Sequence, residues 1–119
     1  MSPELTDLAR LEWCFDVPHN RKLILKRDRN TCFYCMTILD DKNYVIEHVV
    51  SRPTGDNSFR NLVASCRRCN NRKDASPADG YLRQIYRDGI LSQDELANRL
   101  QQLEQLQLGN LKPDWPESD

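Results

Sequence analysis

Apolar and polar residues alternate with changing period along this chain. Leu5, Leu8, Ala9 and Trp13 share one face at helical spacing, which predicts a short helix over residues 3–12. Ser2 and Pro3 suit its N-cap and first turn. Pro18 interrupts that pattern. Leu23, Ile24 and Arg27 then recur at helical spacing, so a second helix is expected over 20–28, "NRKLILKRD". The stretch "NYVIEHVV", residues 43–50, is rich in β-branched and aromatic side chains and predicts a strand. "SRPTGDNS", 51–58, is loop chemistry throughout. "NLVAS", 61–65, predicts a second strand, and a helix starting near Cys69 would carry Arg72 and Lys73.

The last third predicts a helical hairpin. Ser76 and Pro77 are a helix start, and Gly89 ends the segment "PADGYLRQIYRD". Ser92 and Glu95 have capping-box spacing. Leu96, Leu100, Leu103 and Leu106 follow as an apolar stripe. Such a stripe is first of all a core face; a contact between two copies through the C-terminal helices is the second reading. Residues 112–119 read as a loose tail, and no internal repeat is evident beyond paired cysteines.

Composition adds a charge asymmetry to this picture. The 119 residues are 39% hydrophobic and 29% charged, ordinary for a globular protein of one domain. The expected division is a helical segment over 1–19, a core over 20–75 and a helical extension over 76–119. No apolar run is long enough to span a bilayer, and no secretory leader is visible, so a cytoplasmic protein without a membrane partner is expected. The net charge of −1 hides an uneven distribution: residues 20–73 hold 12 Lys/Arg against 5 Asp/Glu, a balance of +7. A basic middle between acidic ends suits a polyanion-binding centre; the plainer reading is a solvated charged surface.

Cysteine spacing sharpens the chemistry. Cys32, Cys35, Cys66 and Cys69 form two C-x-x-C pairs, and Cys14 stands apart as a small core residue. Two residues between cysteines let both sulfurs face one ion, and two such knuckles complete a tetrahedral thiolate shell of the kind zinc prefers. Such a shell has no open position, so this clip is expected to fold the chain rather than to catalyse. Buried reduced cysteines are the alternative, and two matched pairs argue against it.

Between the knuckles lie "EHVVSRP" and "RNLVASC", and the second knuckle continues as "CRRCNNRK". Strand, loop, strand and helix bracketed by C-x-x-C knuckles resemble the HNH endonuclease family, in its zinc-containing branch. The segment "LKRDRNTCFYC" is similar to what precedes the first knuckle there. The resemblance covers about residues 21–74 and implies an α+β fold. Its ββα-metal (His-Me finger) core would carry the four-cysteine zinc site, flanked by N-terminal helices and a C-terminal helical hairpin.

The resemblance also implies roles. His48 matches the family's general base, and Glu47 the adjacent ligand of a catalytic metal. Asn61 matches the middle asparagine, which steadies the loop and the histidine. Asn70 matches the final position, a second ligand, which makes an HNN variant. A neutral imidazole accepts a proton from water at cellular pH. Oxygen ligands from a carboxylate and an amide favour magnesium or manganese. An ideal strand sends Glu47 and His48 to opposite faces, so both reach one site only where the strand ends or bulges. Arg52, Arg67, Arg68, Arg72 and Lys73 are the candidate phosphate contacts on DNA.

The leading expectation is thus an endonuclease hydrolysing DNA phosphodiester bonds. The alternatives are a non-catalytic zinc-ribbon module binding nucleic acid or protein, and an adaptor acting through its leucine-rich hairpin. A homodimer would let two sites cut two strands. No separate DNA-reading segment is evident, so a partner protein supplying specificity is a further expectation.

Overall fold

The computed structural model describes residues 18–51 and 54–113. The helix expected over 3–12, Cys14, Arg52 and most of the C-terminal tail lie outside the described residues. Helix α1 runs Pro18–Arg27. Strand β1 is Tyr44–His48 and β2 is Leu62–Cys66, with a 3-10 turn at Phe59–Asn61 leading into β2. Helix α2 is Arg67–Lys73, α3 is Ala78–Arg87 and α4 is Gln93–Gln107. This is a small α+β architecture: an antiparallel two-stranded ribbon followed directly by a helix.

Two boundaries differ from the sequence reading, each for a physical reason. Pro18 begins α1 rather than breaking a pattern, because the first helical position needs no backbone donor. Helix α2 starts at Arg67, not near Cys69, because Cys66 caps it: the sulfur accepts the Cys69 N–H at 3.4 Å. That shift of the start sets which residues of α2 face inward.

The register pairs Tyr44 with Cys66, Glu47 with Val63 and His48 with Leu62. His48 is therefore the last residue of β1. Core side chains come from every part of the described chain: Leu25, Phe33, Tyr34, Val49, Val63, Leu82, Ile85, Leu103 and Leu106 form one cluster. The leucine stripe of α4 thus splits, with Leu103 and Leu106 buried and Leu96 and Leu100 packed at the margin. Helix α4 starts with the expected capping box between Ser92 and Glu95. Gly89 adopts φ +81, ending the α3 segment as its residue type allows.

Charged residues tie α1 to the ribbon. Arg27 holds Asp28 and donates to the Leu62 carbonyl at 2.7 Å, while Asp28 accepts the Ala64 N–H at 2.8 Å. Both groups are nearly buried, and each satisfies backbone that would otherwise lack a partner. Among the described residues, no helix is long and apolar enough to cross a membrane.

Candidate active site and metal centre

The first knuckle is a tight turn. The Cys32 N–H donates to the Thr37 carbonyl at 2.8 Å, the Met36 N–H returns to the Cys32 carbonyl at 3.0 Å, and Met36 takes φ +68. The second knuckle is the junction of β2 and α2. All four sulfurs lie within 4.8 Å of one another. Cys35 Sγ and Cys66 Sγ are 3.8 Å apart, the separation two sulfurs take on a tetrahedral zinc with bonds of about 2.3 Å. The donor set and spacing fit a structural zinc. Cys32 and Cys69 are buried, and the Tyr34 ring, between the first two cysteines, packs edge-on against Tyr81 of α3 at 5.3 Å. The Cys32 thiol is pushed up to about 11, first by hydrogen bonding with Cys35.

A second set of groups gathers away from the sulfurs, where β1 ends. An open cleft of about 350 Å³ is lined by Glu47, His48, Ser51, Asn70, Asn71 and Asp74, among others. Its walls come from the end of β1 and the exposed face of α2. Asn70 belongs to α2 and Asp74 is its C-cap, the Asp74 N–H donating to the Asn70 carbonyl at 3.1 Å. No described group hydrogen-bonds the Asn70 side-chain amide.

His48 is half-buried, and its Nε2 lies 2.8 Å from Asn57 Oδ1. The amide oxygen accepts, so Nε2 carries the proton and the neutral ring has its lone pair on Nδ1. Asn61 is buried and clamps the chain after β1. Its Oδ1 accepts the Val50 N–H at 2.8 Å, and its Nδ2 donates to the Val50 carbonyl at 3.0 Å and the Asp56 carbonyl at 2.9 Å. Its own carbonyl accepts the Val49 N–H at 2.9 Å. Asn61 fixes the loop, and Asn57 touches the imidazole. Gly55 completes the clamp: a Cβ there would lie 1.8 Å from the Val50 carbonyl oxygen and 2.5 Å from Asn61 Nδ2.

Glu47 borders the same cleft but is buried. Its carboxylate is buried, accepting from the Tyr34 hydroxyl and pairing with Lys73 Nζ at 3.0 Å. Lys73 Nζ also donates to the His48 carbonyl at 3.3 Å. Burial pushes the Glu47 carboxyl up, and the Tyr34 and Lys73 bonds oppose that rise. Burial, with the Glu47 charge beside it, keeps the Tyr34 phenol well above its usual range. The group ties the zinc knuckle, β1 and α2 together beneath the cleft.

Lys73 corrects the sequence reading. It was expected beside Arg72 as a phosphate contact, but its side chain is 0% exposed. With α2 starting at Arg67, Lys73 falls four residues after buried Cys69 and shares its inward face. Arg72 is exposed and paired with Asp88 of the segment after α3 at 2.7 Å. That guanidinium holds the Asp88 carboxyl below its usual range. Arg67 and Arg68 are exposed on the first turn of α2. Sequence reasoning did not single out Asn57, Gly55 or Asp74. The composition of "SRPTGDNS" marked only a loop, and the Cys69-to-Lys73 spacing was the one available sign of an inward lysine.

A β-ribbon feeding a helix, stapled by two cysteine knuckles whose donor set fits zinc, with a half-buried histidine at the strand end, defines a small ββα class of protein. Residues 32–84 match the model of the HNH endonuclease family. The Septu protein PtuB of Bacillus thuringiensis is 36% identical over 61 residues, 47% of this chain and 24% of that protein. The chain thus spans about a quarter of the length of that curated relative. No solved structure matches it significantly.

Proposed function

We propose that this chain is a metal-dependent HNH endonuclease that hydrolyses phosphodiester bonds in DNA. The observation that carries this reading is that His48 and Asn70 border one open cleft, apart from the four sulfurs, within the matched segment.

In this reading His48 is the general base. Its Nδ1 lone pair takes the proton from the attacking water while Asn57 keeps the ring in the matching tautomer. Asn61 binds the backbone of Val49, Val50 and Asp56, which fixes where His48 ends β1. The donor set of the cleft suits a hard divalent ion: the Asn70 amide oxygen, the carboxylate of Glu47 and water. When bound, magnesium or manganese would neutralise the phosphate and stabilise the leaving oxygen. The structural zinc takes no part in the chemistry; it holds β2 and α2 at the angle that presents Asn70. Arg67 and Arg68, exposed on the first turn of α2, are assigned to phosphate contacts, together with Arg52.

A second reading, a zinc-clipped binding module without catalysis, is favoured by one observation: both oxygens of Glu47 are engaged inside the protein. Plasmid nicking with magnesium or manganese, for wild type and His48→Ala, separates the two. Nicking that depends on His48 supports the endonuclease. DNA binding without nicking in any divalent metal supports the module.

A further inference from the structure

We propose that Asp74 is a ligand of the catalytic divalent cation, supplying the negative charge that Glu47 does not. The inference rests on the endonuclease reading above and changes which carboxylate dominates its metal site.

The first argument is charge. Among the described residues lining the cleft, the only carboxylates are Glu47 and Asp74. Glu47 is 4% exposed and pairs with Lys73, so this pair is close to neutral as seen from the cleft. Asn70 and Asn71 are uncharged. A hard dication needs at least one anionic oxygen to compete with water for its shell. Asp74 is exposed, and its carboxylate has no partner among the described residues. It can give up solvent more cheaply than Glu47 can give up two internal partners.

The second argument is placement. Asp74 follows the last turn of α2, and its N–H donates to the Asn70 carbonyl at 3.1 Å. Asn70 and Asp74 both line the cleft beside His48, so an amide oxygen and a carboxylate border it together.

The third argument is conformation. Asp74 has φ +48 and ψ −125, a region that L side chains rarely adopt and glycine adopts freely. A glycine would end α2 there without strain. An aspartate costs stability at this position, and a ligand role is the compensating gain the geometry offers.

The test uses the full chain with its zinc bound, and Mn²⁺ as the probe, followed by electron paramagnetic resonance and calorimetry. Asp74→Asn and Asp74→Gly are each expected to weaken Mn²⁺ binding by roughly tenfold or more. Asp74→Gly should melt at or above the wild-type temperature, which separates loss of a ligand from loss of fold. His48→Ala should bind Mn²⁺ as wild type does. If wild type binds Mn²⁺ and cuts DNA, but both Asp74 variants bind Mn²⁺ unchanged, the inference is overturned and the endonuclease reading stands. If wild type neither binds Mn²⁺ nor nicks DNA with any divalent metal, the endonuclease reading fails and takes the inference with it.

Discussion

The Nε2 atom of His48 lies 2.8 Å from Oδ1 of Asn57, in the loop that Asn61 clamps. An acceptor at that distance selects the tautomer and holds the ring plane. Replacing Asn57 by Ala removes the acceptor and frees the ring. Nicking should fall by about tenfold or more while the melting temperature changes little. Asn57→Asp keeps an acceptor but adds a charge that favours the protonated ring. Its activity should therefore appear only at higher pH, moving the acidic limb of the pH–rate profile upward. A variant pair with wild-type rates and pH profile would remove Asn57 from the mechanism.

Lys73 and Glu47 form a buried pair whose members are not replaceable singly. Lys73→Met leaves the Glu47 carboxylate without its cation, at a cost of about 3–5 kcal/mol in unfolding free energy. Glu47→Gln with Lys73→Met removes both charges and should recover a substantial part of that loss. Urea unfolding of the zinc-loaded protein measures all the corners of the cycle. Additive losses would mean that the 3.0 Å contact carries no coupling.

Arg67 and Arg68 differ from Lys73 in being solvent-facing. Their replacement by Ala should leave stability within about 0.5 kcal/mol of wild type. DNA affinity should drop at low salt, and the slope of log affinity against log salt should become shallower by roughly one for each arginine that meets a phosphate. Fluorescence anisotropy across a salt series reads both. Unchanged affinity and slope would assign these cations to an ordinary solvated surface.

Gly55 has no room for a side chain, since a Cβ would meet the Val50 carbonyl oxygen at 1.8 Å. Gly55→Ala must open the Asn61 clamp. Activity should be lost, with local exchange of the Val50 amide, while the zinc clip remains intact. Zinc itself should bind as one ion per chain by native mass spectrometry. A strong chelator should unfold the ribbon and α2 as seen by circular dichroism, because the four sulfurs join the first knuckle to the β2–α2 junction.

The cysteine clip and the ribbon-and-helix pattern were legible in the sequence, and the residues that were not share a cause. Cysteine spacing gave the clip because ligation depends only on local turn geometry. Strand and capping patterns located β1, β2 and α4 within a residue or two, since each has its own period or cap. Lys73 was misread because its direction depends on the phase of α2, which Cys66 sets by acting as cap. Asn57 and Gly55 sit in a loop, where no period exists to say which side chain turns inward. Asp74 was given no role from the sequence, and its φ of +48 and its place on the cleft distinguish it. An ideal pleat would part Glu47 and His48, yet both border the cleft. The strand ends at His48, and the carboxylate lies inside.

The central claim is that His48 is the base of a phosphodiester hydrolysis. The most direct measurement is plasmid nicking over time with magnesium or manganese, for zinc-loaded wild type and His48→Ala of equal melting temperature. The account predicts nicking by wild type and a loss of about 10²- to 10⁴-fold in the variant. Equal rates in the two proteins would contradict it.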